Sequence, residues 1–310
     1  MTTTLPFRPR LFAFALVLAA AVAAGLFGVY RYVDNYWLYR GFAPPRDPAY
    51  VRVTGSEAQL YVTSAALGGR RQLVDVYLPP GYSTHPNARY PVLYLLHGVP
   101  GRPGAFLATV RMGVLDDELV ALHKIKPLIL VMPDGSTSSF TDKEWVNGIK
   151  PHEGWETFVA RDVVHAIDTT YRTIPGDRAL AGLSEGGYGA LNIGLHHPGE
   201  FRILESWSGY ERADPLRAIF GKSQSRLIAN SPLHSIQRVA ARLRRDHTYI
   251  WFYSGTTDWF QKQNAQFARL LNGLKLPHDY FIVRGGHNWA LWRGNAARAM
   301  LAAARRLDAA

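Results

Sequence analysis

The sequence predicts an α/β fold in which helices cover both faces of a mostly parallel central sheet. Short apolar runs alternate with helical stretches along most of the 310 residues, which predicts strands joined by helices. Most of those runs are apolar without interruption, as in strands that are buried on both faces. The earliest strand candidates instead alternate polar and apolar residues, which predicts an antiparallel beginning to the sheet.

The predicted elements follow one another without an internal repeat. The predicted strands with alternating residues are 51–53, 58–64 and 72–78. The predicted buried strands are 92–96, 128–132, 179–182, 201–207, 249–253 and 280–283. The helices are 114–123, 155–171, 188–196, 236–245, 261–274 and 289–307. In such sheets the active site forms at the carboxyl ends of the strands, so chemistry is expected in the loops that follow them. Residues 211–230 join a strand to later helices and predict a small cap.

The N-terminal segment predicts a membrane-spanning helix. Residues 1–10 form a short basic N-terminus, and residues 11–30 form an uncharged apolar run. Twenty residues at 1.5 Å rise span about 30 Å, the thickness of a bilayer core. The run predicts a signal anchor, because it stays apolar through Phe27 and ends at an aromatic group: Tyr30, Tyr32, Tyr36, Trp37 and Tyr39. The alternative is a shorter signal peptide, cleaved near Ala24.

The anchor prediction carries a prediction of location and domain organisation. The short leader is expected to stay in the cytoplasm, with the large domain exported; a cleaved signal peptide would instead give a secreted protein. Residues 31–50, rich in aromatic residues and proline, predict a linker. Residues 51–310 then form one large domain, whose oligomeric state the sequence does not indicate.

Composition excludes several classes of function. The chain has no cysteine, which rules out thiol catalysis, cysteine-ligated zinc, iron–sulfur clusters and disulfides. The formal net charge is +11. This charge favours contact with polyanions, but no zinc-finger, basic-region or aromatic RNA-binding pattern accompanies it. We therefore predict no nucleic-acid partner and no metal.

A glycine-rich turn carries the first catalytic motif. Gly182-Leu183-Ser184-Glu185-Gly186 satisfies the pattern G-x-S-x-G between a predicted strand and a predicted helix. A strand that turns directly into a helix holds its serine in a strained conformation, and the flanking glycines remove side chains that would collide. The pattern predicts Ser184 as a nucleophile.

A nucleophilic serine needs a base, and the base needs a carboxylate that orients it. His287 follows the predicted strand 280–283, and Asp258 follows the strand before it. Ser184, Asp258 and His287 therefore occur in the chain order of α/β-hydrolases: nucleophile, acid, base. The alternative to a catalytic role for Asp258 is a structural one, in which its side chain caps the N-terminus of the next helix.

The loop after strand 92–96 is expected to supply an oxyanion hole. His97-Gly98 lets the backbone approach the substrate, and Pro100 has no N–H to donate. The backbone N–H groups of Val99 and of Glu185, the residue after the serine, are therefore the predicted donors. His97 itself is expected mainly to hold this loop.

Taken together, these motifs resemble one family. VDVYLPPGY, YPVLYLLHG, VMPDG, AGLSEGGYGA, SGTTDW and RGGHNW are similar to the esterase D branch of α/β-hydrolases over about residues 55–300. That branch includes feruloyl esterases, S-formylglutathione hydrolases, enterochelin esterases and mycolyltransferases. The resemblance implies a serine esterase or acyltransferase that needs no metal or organic cofactor, with the five site residues in the roles given above. Glu185 departs from the apolar or neutral residue that is frequent at its position.

The sequence thus predicts a membrane-tethered serine carboxylesterase that acts on a small-molecule, lipid or aryl ester. An envelope acyltransferase with the same catalytic residues and a catalytically silent binding protein remain alternatives. Four residues near the catalytic loops are candidates to line the substrate pocket: Trp259, His97, Asp134 and Trp289. Trp259, beside the acid, is the preferred pocket wall, whereas a turn role competes for Asp134.

Overall fold

A computed structural model describes residues 9–32, 42–136 and 143–307. The chain divides into two compact units, residues 1–44 and residues 45–310. The first unit contains helix α1 (Pro9–Tyr32). Its segment Pro9–Val29 has a mean hydropathy of 2.5 and is exposed, so by length and composition it is able to cross a membrane. A signal sequence has the same properties, so the choice between anchor and signal peptide stays a prediction.

Part of the N-terminal prediction falls outside the described residues. These are residues 1–8, which include the basic residue Arg8, and the aromatic residues Tyr36, Trp37 and Tyr39. Within the predicted linker, residues 42–48 form no regular helix or strand.

The second unit is built on an eight-stranded sheet. Its strands are β1 (Ser56–Ser64), β2 (Arg70–Leu78), β3 (Tyr90–Leu96), β4 (Ile129–Pro133), β5 (Thr173–Leu183), β6 (Ile203–Trp207), β7 (Tyr249–Gly255) and β8 (His278–Val283). They lie in the order β1-β2-β4-β3-β5-β6-β7-β8. β2 pairs antiparallel with β1 and β4, whereas β3 to β8 pair in parallel. The predicted fold class is confirmed.

Helices cover both faces of this sheet. They are α2 (Ala105–Ala108), α3 (Met112–Ala121), α4 (Trp155–Thr157), α5 (Val164–Thr170), α6 (Glu185–His196), α7 (Arg217–Phe220), α8 (Gln224–Ala229), α9 (Pro232–Arg245), α10 (Gln261–Gly273) and α11 (Trp289–Leu307). A π-helical stretch, Phe158–Val163, joins α4 to α5. On β6, the side chain of Leu204 lies against Gly194 of α6, whereas the ring of Trp207 packs edge to face against Phe106 of α2 at 6.0 Å between centroids. Because side chains three positions apart on a strand point to opposite faces, α6 and α2 cover opposite faces of the sheet.

The predicted strand at 51–53 is wrong. Val51 donates its N–H to the carbonyl of Pro48, and the side chain of Val53 is 59% exposed. β1 is an edge strand whose ladder with β2 ends at the pair Ser56 and Leu78. The residues before Ser56 therefore have no neighbouring strand with which to form hydrogen bonds.

The segment 211–230, predicted as a cap, contains α7 and α8. Phe220 and Leu227 from this segment belong to a small buried cluster with Tyr188 of α6. The hydroxyl of Tyr188 also donates to the carbonyl of Asn230. These contacts fix the segment to the helix that begins directly after Ser184.

Candidate active site

Ser184 lies in the tight turn between β5 and α6. Its φ of 56° and ψ of −120° place a residue with a β-carbon in a region that is costly for it. The Ser184 N–H donates to the carbonyl of Trp207 at the end of β6, and its carbonyl accepts the N–H of Gly187 in α6. Hydrogen bonds to the neighbouring strand and to the following helix therefore hold the strained residue.

Two glycines make this turn possible. A β-carbon at Gly182 would overlap the backbone of Gly186, and one at Gly186 would overlap the carbonyl of Leu96 in β3. Larger residues would force β5, α6 and β3 apart. The steric reason for the G-x-S-x-G spacing is thus visible in the contacts of the turn.

The structure brings Ser184, His287 and Asp258 together from three different loops. Ser184 Oγ lies 2.8 Å from His287 Nε2, and His287 Nδ1 lies 3.0 Å from Asp258 Oδ2. Ser184 follows β5, Asp258 follows β7 and His287 follows β8, so all three lie at the carboxyl edge of the sheet. The imidazole is able to accept the serine proton at one nitrogen while the carboxylate holds the other.

Asp258 is fully enclosed and has three hydrogen-bond partners. Ser208 donates its hydroxyl to Asp258 Oδ2, and the N–H of Phe260 donates to Oδ1 at 2.8 Å. Burial alone would raise the pKa of Asp258, but the hydrogen bonds from His287, Ser208 and Phe260 outweigh it and lower that pKa below its usual value. The carboxyl therefore remains ionised beside the imidazole at neutral pH.

A second buried carboxyl, Glu211, lies near Asp258. Its Oε2 accepts from Asn264 Nδ2 at 3.5 Å. Burial, together with the negative charge of Asp258, raises the pKa of Glu211 well above its usual value. Glu211 therefore holds its proton more tightly than an exposed glutamate does, whereas the hydrogen bonds to Asp258 favour its charged form.

Three aromatic rings surround His287. The ring centroid of Trp259 is 4.9 Å from that of His287 at an interplanar angle of 33°, whereas Phe260 and Trp292 meet it edge to face at 5.3 and 5.0 Å. The side chain of His287 is 10% exposed. Trp259 is 72% exposed and lies at the rim of the site.

The loop after β3 lies against Ser184. A β-carbon on Gly98 would lie 3.0 Å from Ser184 Cβ, and Val99 follows with 40% of its surface exposed. The side chain of His97 is buried: its Nε2 accepts the N–H of Gly135 at 3.1 Å. The carbonyl of His97 accepts from Trp145 Nε1 at 2.9 Å. His97 thus fixes this loop to the loop after β4.

The side chain of Glu185 is buried in the protein. Its Oε1 accepts the backbone N–H of Glu144 at 2.8 Å. Glu144 and Trp145 both have positive φ values, 53° and 54°. The carboxylate therefore holds a strained turn against the start of α6. This contact is a structural reason for a glutamate at the position after Ser184.

The two remaining pocket candidates are Asp134 and Trp289. Asp134 Oδ1 accepts the N–H of Ser136 at 2.9 Å, an Asx-type turn, and Asp134 also lines a surface groove of about 610 Å³ with Arg70 and Gly101. Trp289 is buried and packs on Trp292 at 5.2 Å, so it is one ring removed from His287.

Sequence reasoning missed two residues that support the site. Ser208 holds Asp258 although no motif marks it; its position directly after β6, at the carboxyl edge of the sheet, was the available signal. Glu144 pairs with Glu185 from 41 residues away, and nothing local in the sequence indicates that contact. Among the described residues, no three His, Asp or Glu side chains form a group able to hold a metal ion.

Glu205 in β6 has a buried carboxyl group, and its burial makes the stability of the folded protein depend on pH. Burial raises the pKa of Glu205 to about 8, although the indole N–H of Trp207 donates to it. In the unfolded chain the pKa of this carboxyl has its usual value of 4.5. Below that pH the group is protonated in both states. As the pH rises from 4.5 towards 8, only the unfolded chain ionises it, so the free energy of unfolding falls. The loss is at most roughly 1.4 kcal/mol per pH unit.

We therefore expect Glu205→Gln, which keeps an acceptor for Trp207, to raise the melting temperature by a few degrees at pH 8 and by little at pH 5. Thermal unfolding at both pH values measures this. Glu57→Gln, at an exposed position of β1, is the control and should behave like wild type. An equal effect of Glu205→Gln at both pH values would contradict the assignment.

Comparison with known proteins places the chain in a family. The family model named Esterase matches residues 64–303. The chain belongs to the Esterase family. An esterase of Mycobacterium tuberculosis is 31% identical over 247 residues, which cover 69% of this chain and 52% of that protein. An endo-1,4-beta-xylanase/feruloyl esterase of Xylanibacter ruminicola is 36% identical over 146 residues, 46% of this chain and 20% of that protein. The chain thus spans about half the length, or less, of these curated relatives.

A solved structure of a ferulic acid esterase superposes on this Esterase-family chain with a TM-score of 0.71 and 25% sequence identity. The match covers 81% of this chain and 99% of the other. The second unit therefore has the α/β-hydrolase fold that the motif order predicts.

Proposed function

We propose that this Esterase-family protein is a serine carboxylesterase that cleaves carboxylic esters through an acyl-enzyme. One observation carries the proposal: Ser184 Oγ is 2.8 Å from His287 Nε2, whose other nitrogen is 3.0 Å from Asp258. These distances lie within the hydrogen-bond reach that proton transfer requires. The names of the relatives, esterase and feruloyl esterase, support the same class of reaction.

In the first half-reaction His287 Nε2 takes the proton from Ser184 as Oγ attacks the ester carbonyl carbon. The carbonyl oxygen becomes negative and is stabilised by the backbone N–H groups of Val99 and Glu185. The tetrahedral intermediate then collapses and breaks the bond to the alcohol oxygen. His287 returns its proton to that oxygen, the alcohol leaves, and the acyl group remains on Ser184.

In the second half-reaction water takes the place of the alcohol. His287 accepts one proton from the water as its oxygen attacks the acyl carbon, and the same N–H groups stabilise the oxyanion. Collapse breaks the bond to Ser184 Oγ, which regains its proton from His287, and the carboxylic acid is released. Throughout, Asp258 remains ionised and holds the imidazole in orientation.

The surroundings of the site indicate the kind of ester that it accepts. Trp259 offers an exposed aromatic face at the rim, suited to an apolar or aryl group of the substrate. His287 must reach the leaving oxygen, so the neighbouring Trp259 borders the substrate close to the bond that breaks. We propose an aryl or lipid-like ester as the substrate class.

The location of the protein is part of the proposal. Helix α1 is expected to tether the chain to a membrane as a single-pass anchor, with the enzyme domain outside the cytoplasm. Cleavage of the helix as a signal peptide would instead release a secreted enzyme. The intact mass of the mature protein, recovered from membrane and secreted fractions, distinguishes the two, because cleavage removes more than 2 kDa, roughly 110 Da per residue over a leader of 20 to 30 residues.

A panel of esters tests the function. We expect the purified protein to hydrolyse 4-nitrophenyl acetate, 4-nitrophenyl butyrate and methyl ferulate, with the larger acyl groups preferred, and to release one free acid per alcohol. Mass spectrometry after addition of trehalose or glycerol separates hydrolysis from acyl transfer. If the added hydroxyl compound received most of the acyl groups, the protein would be an acyltransferase; the absence of any ester cleavage would contradict the proposal.

A further inference from the structure

His287 is shielded from water mainly by aromatic rings. Its side chain is 10% exposed, and the rings of Trp259, Phe260 and Trp292 all lie within 5.3 Å of it, measured between centroids. Phe260 and Trp292 meet it edge to face. Trp259 differs from them, because its plane is tilted by only 33° from that of the imidazole, at a centroid distance of 4.9 Å.

Trp259 is also exposed to an unusual degree for its size. Seventy-two per cent of its surface is in contact with solvent, so packing in the core does not explain its position. The part of the indole that is covered is in contact with His287 and, edge to face at 6.0 Å, with Phe260. The principal structural neighbour of this exposed residue is therefore the ring that the proposed function uses as its base.

The face of an indole attracts cations. The π-electrons of tryptophan give the ring a negative face, and a cation within about 6 Å of its centroid is stabilised. The imidazole of His287 becomes a cation when it accepts the proton of Ser184. At 4.9 Å the indole is within range of that charge, which forms only as the reaction proceeds.

We propose that Trp259 is a positioning residue that stabilises the His287 imidazolium through its indole face. The inference rests on the proposed function, since it needs His287 to act as the base. It adds a second source of stabilisation on the ring face, whereas Asp258 acts in the plane of the ring through Nδ1.

The charged groups around His287 are few among the described residues. Asp258 contacts it directly, and Ser184 and Ser208 contribute neutral hydroxyls to the same network. Glu211 lies beyond Asp258, and burial together with the negative charge of Asp258 raises the pKa of Glu211 well above its usual value. The indole face therefore acts on a cation that has one carboxylate partner.

This role is distinguishable from that of a pocket wall. A wall that binds the substrate would alter KM, and it would do so for large acyl groups more than for acetyl. Stabilisation of the imidazolium would instead lower the rate of every reaction in which Ser184 is activated, whatever the acyl group. It would also change the pH dependence of those rates.

The test compares Trp259→Leu, Trp259→Phe and wild type, all as full-length chains. Leucine keeps an apolar contact without a π face, and phenylalanine keeps a π face. Tyr61→Leu, which removes an exposed aromatic side chain from the edge strand β1, is the matched control. The measurements are kcat and KM for 4-nitrophenyl acetate and the rate of phosphonylation by a small fluorophosphonate, each from pH 5 to 9.

We expect Trp259→Leu to lower kcat and the phosphonylation rate by about two- to five-fold at the plateau, in addition to any rise in KM that the loss of a pocket wall causes. The acidic limb of both profiles should move to lower pH by about 0.4 to 0.7 unit, because the unsupported cation loses its proton more readily. Trp259→Phe should stay within about two-fold of wild type, and Tyr61→Leu should not differ from it.

Two results would overturn the inference. One is a Trp259→Leu variant with the wild-type rate and acidic limb, or with a loss confined to KM. The other is a Trp259→Phe variant that matches Trp259→Leu. Failure of the wild-type protein to react with the fluorophosphonate at all would instead contradict the proposed function, so the two failures are distinguishable.

Discussion

Replacing Ser184 by alanine is expected to lower kcat/KM for ester hydrolysis by about ten-thousand-fold or more. The change removes the only atom that attacks the carbonyl, while the N–H groups of Val99 and Glu185 remain able to bind an oxyanion. In serine hydrolases such residual stabilisation leaves a slow background reaction, so a small activity above that of water is expected. Initial rates with 4-nitrophenyl butyrate at saturating and low concentrations measure the loss.

The control for this variant is Ser225→Ala, which removes an exposed hydroxyl from α8. It should retain the wild-type kcat/KM. A melting temperature for Ser184→Ala near that of wild type shows that the turn still folds. Retention of more than about 1% of wild-type activity by a folded Ser184→Ala protein would exclude Ser184 as the nucleophile.

Replacing Asp258 by asparagine is expected to reduce kcat by about ten-thousand-fold, with a smaller effect on KM. Asparagine has nearly the same shape, but its amide group cannot balance the charge of the imidazolium and is able to donate to Nδ1. The wrong nitrogen of His287 would then carry the proton, and Nε2 would no longer accept from Ser184. Steady-state kinetics at pH 7 to 8, where Asp258 of the wild type is ionised, measures the effect.

Asp214→Asn is the matched control, because Asp214 is a surface carboxylate paired only loosely with Arg212 at 3.8 Å. This variant should keep wild-type kinetics. A loss of less than about ten-fold in Asp258→Asn would show that His287 is oriented by other contacts, and the role assigned to Asp258 would then be wrong.

The sequence predicts much of the fold and the main site residues because both depend on local patterns. Continuous apolar runs mark buried strands, and the glycines around Ser184 mark a turn that only small residues permit. The parallel order of the strands then brings Ser184, Asp258 and His287 to one edge, although 103 residues separate the first from the last. The position of each residue directly after a parallel strand therefore predicts that the three lie close together in space.

Other features depend on contacts that no local pattern records. The strand predicted at 51–53 failed because the sheet offers it no partner beyond Ser56, which the alternation of its own residues does not reveal. Glu185 departs from the apolar or neutral residue that is frequent at its position, and the reason is a contact with the N–H of Glu144, 41 residues away. Trp259 is predicted from the sequence as a pocket wall, whereas its contact with the ring of His287 depends on how two different loops are placed in space.

The central claim is that Ser184 is a nucleophile activated by His287 and Asp258. Its most direct measurement is the intact mass of the protein after exposure to a fluorophosphonate, followed by peptide mapping. We expect one added phosphonyl group per chain, located on Ser184, and no added mass on Ser184→Ala. A wild-type protein that remains unlabelled, or equal labelling of Ser184→Ala, would contradict it.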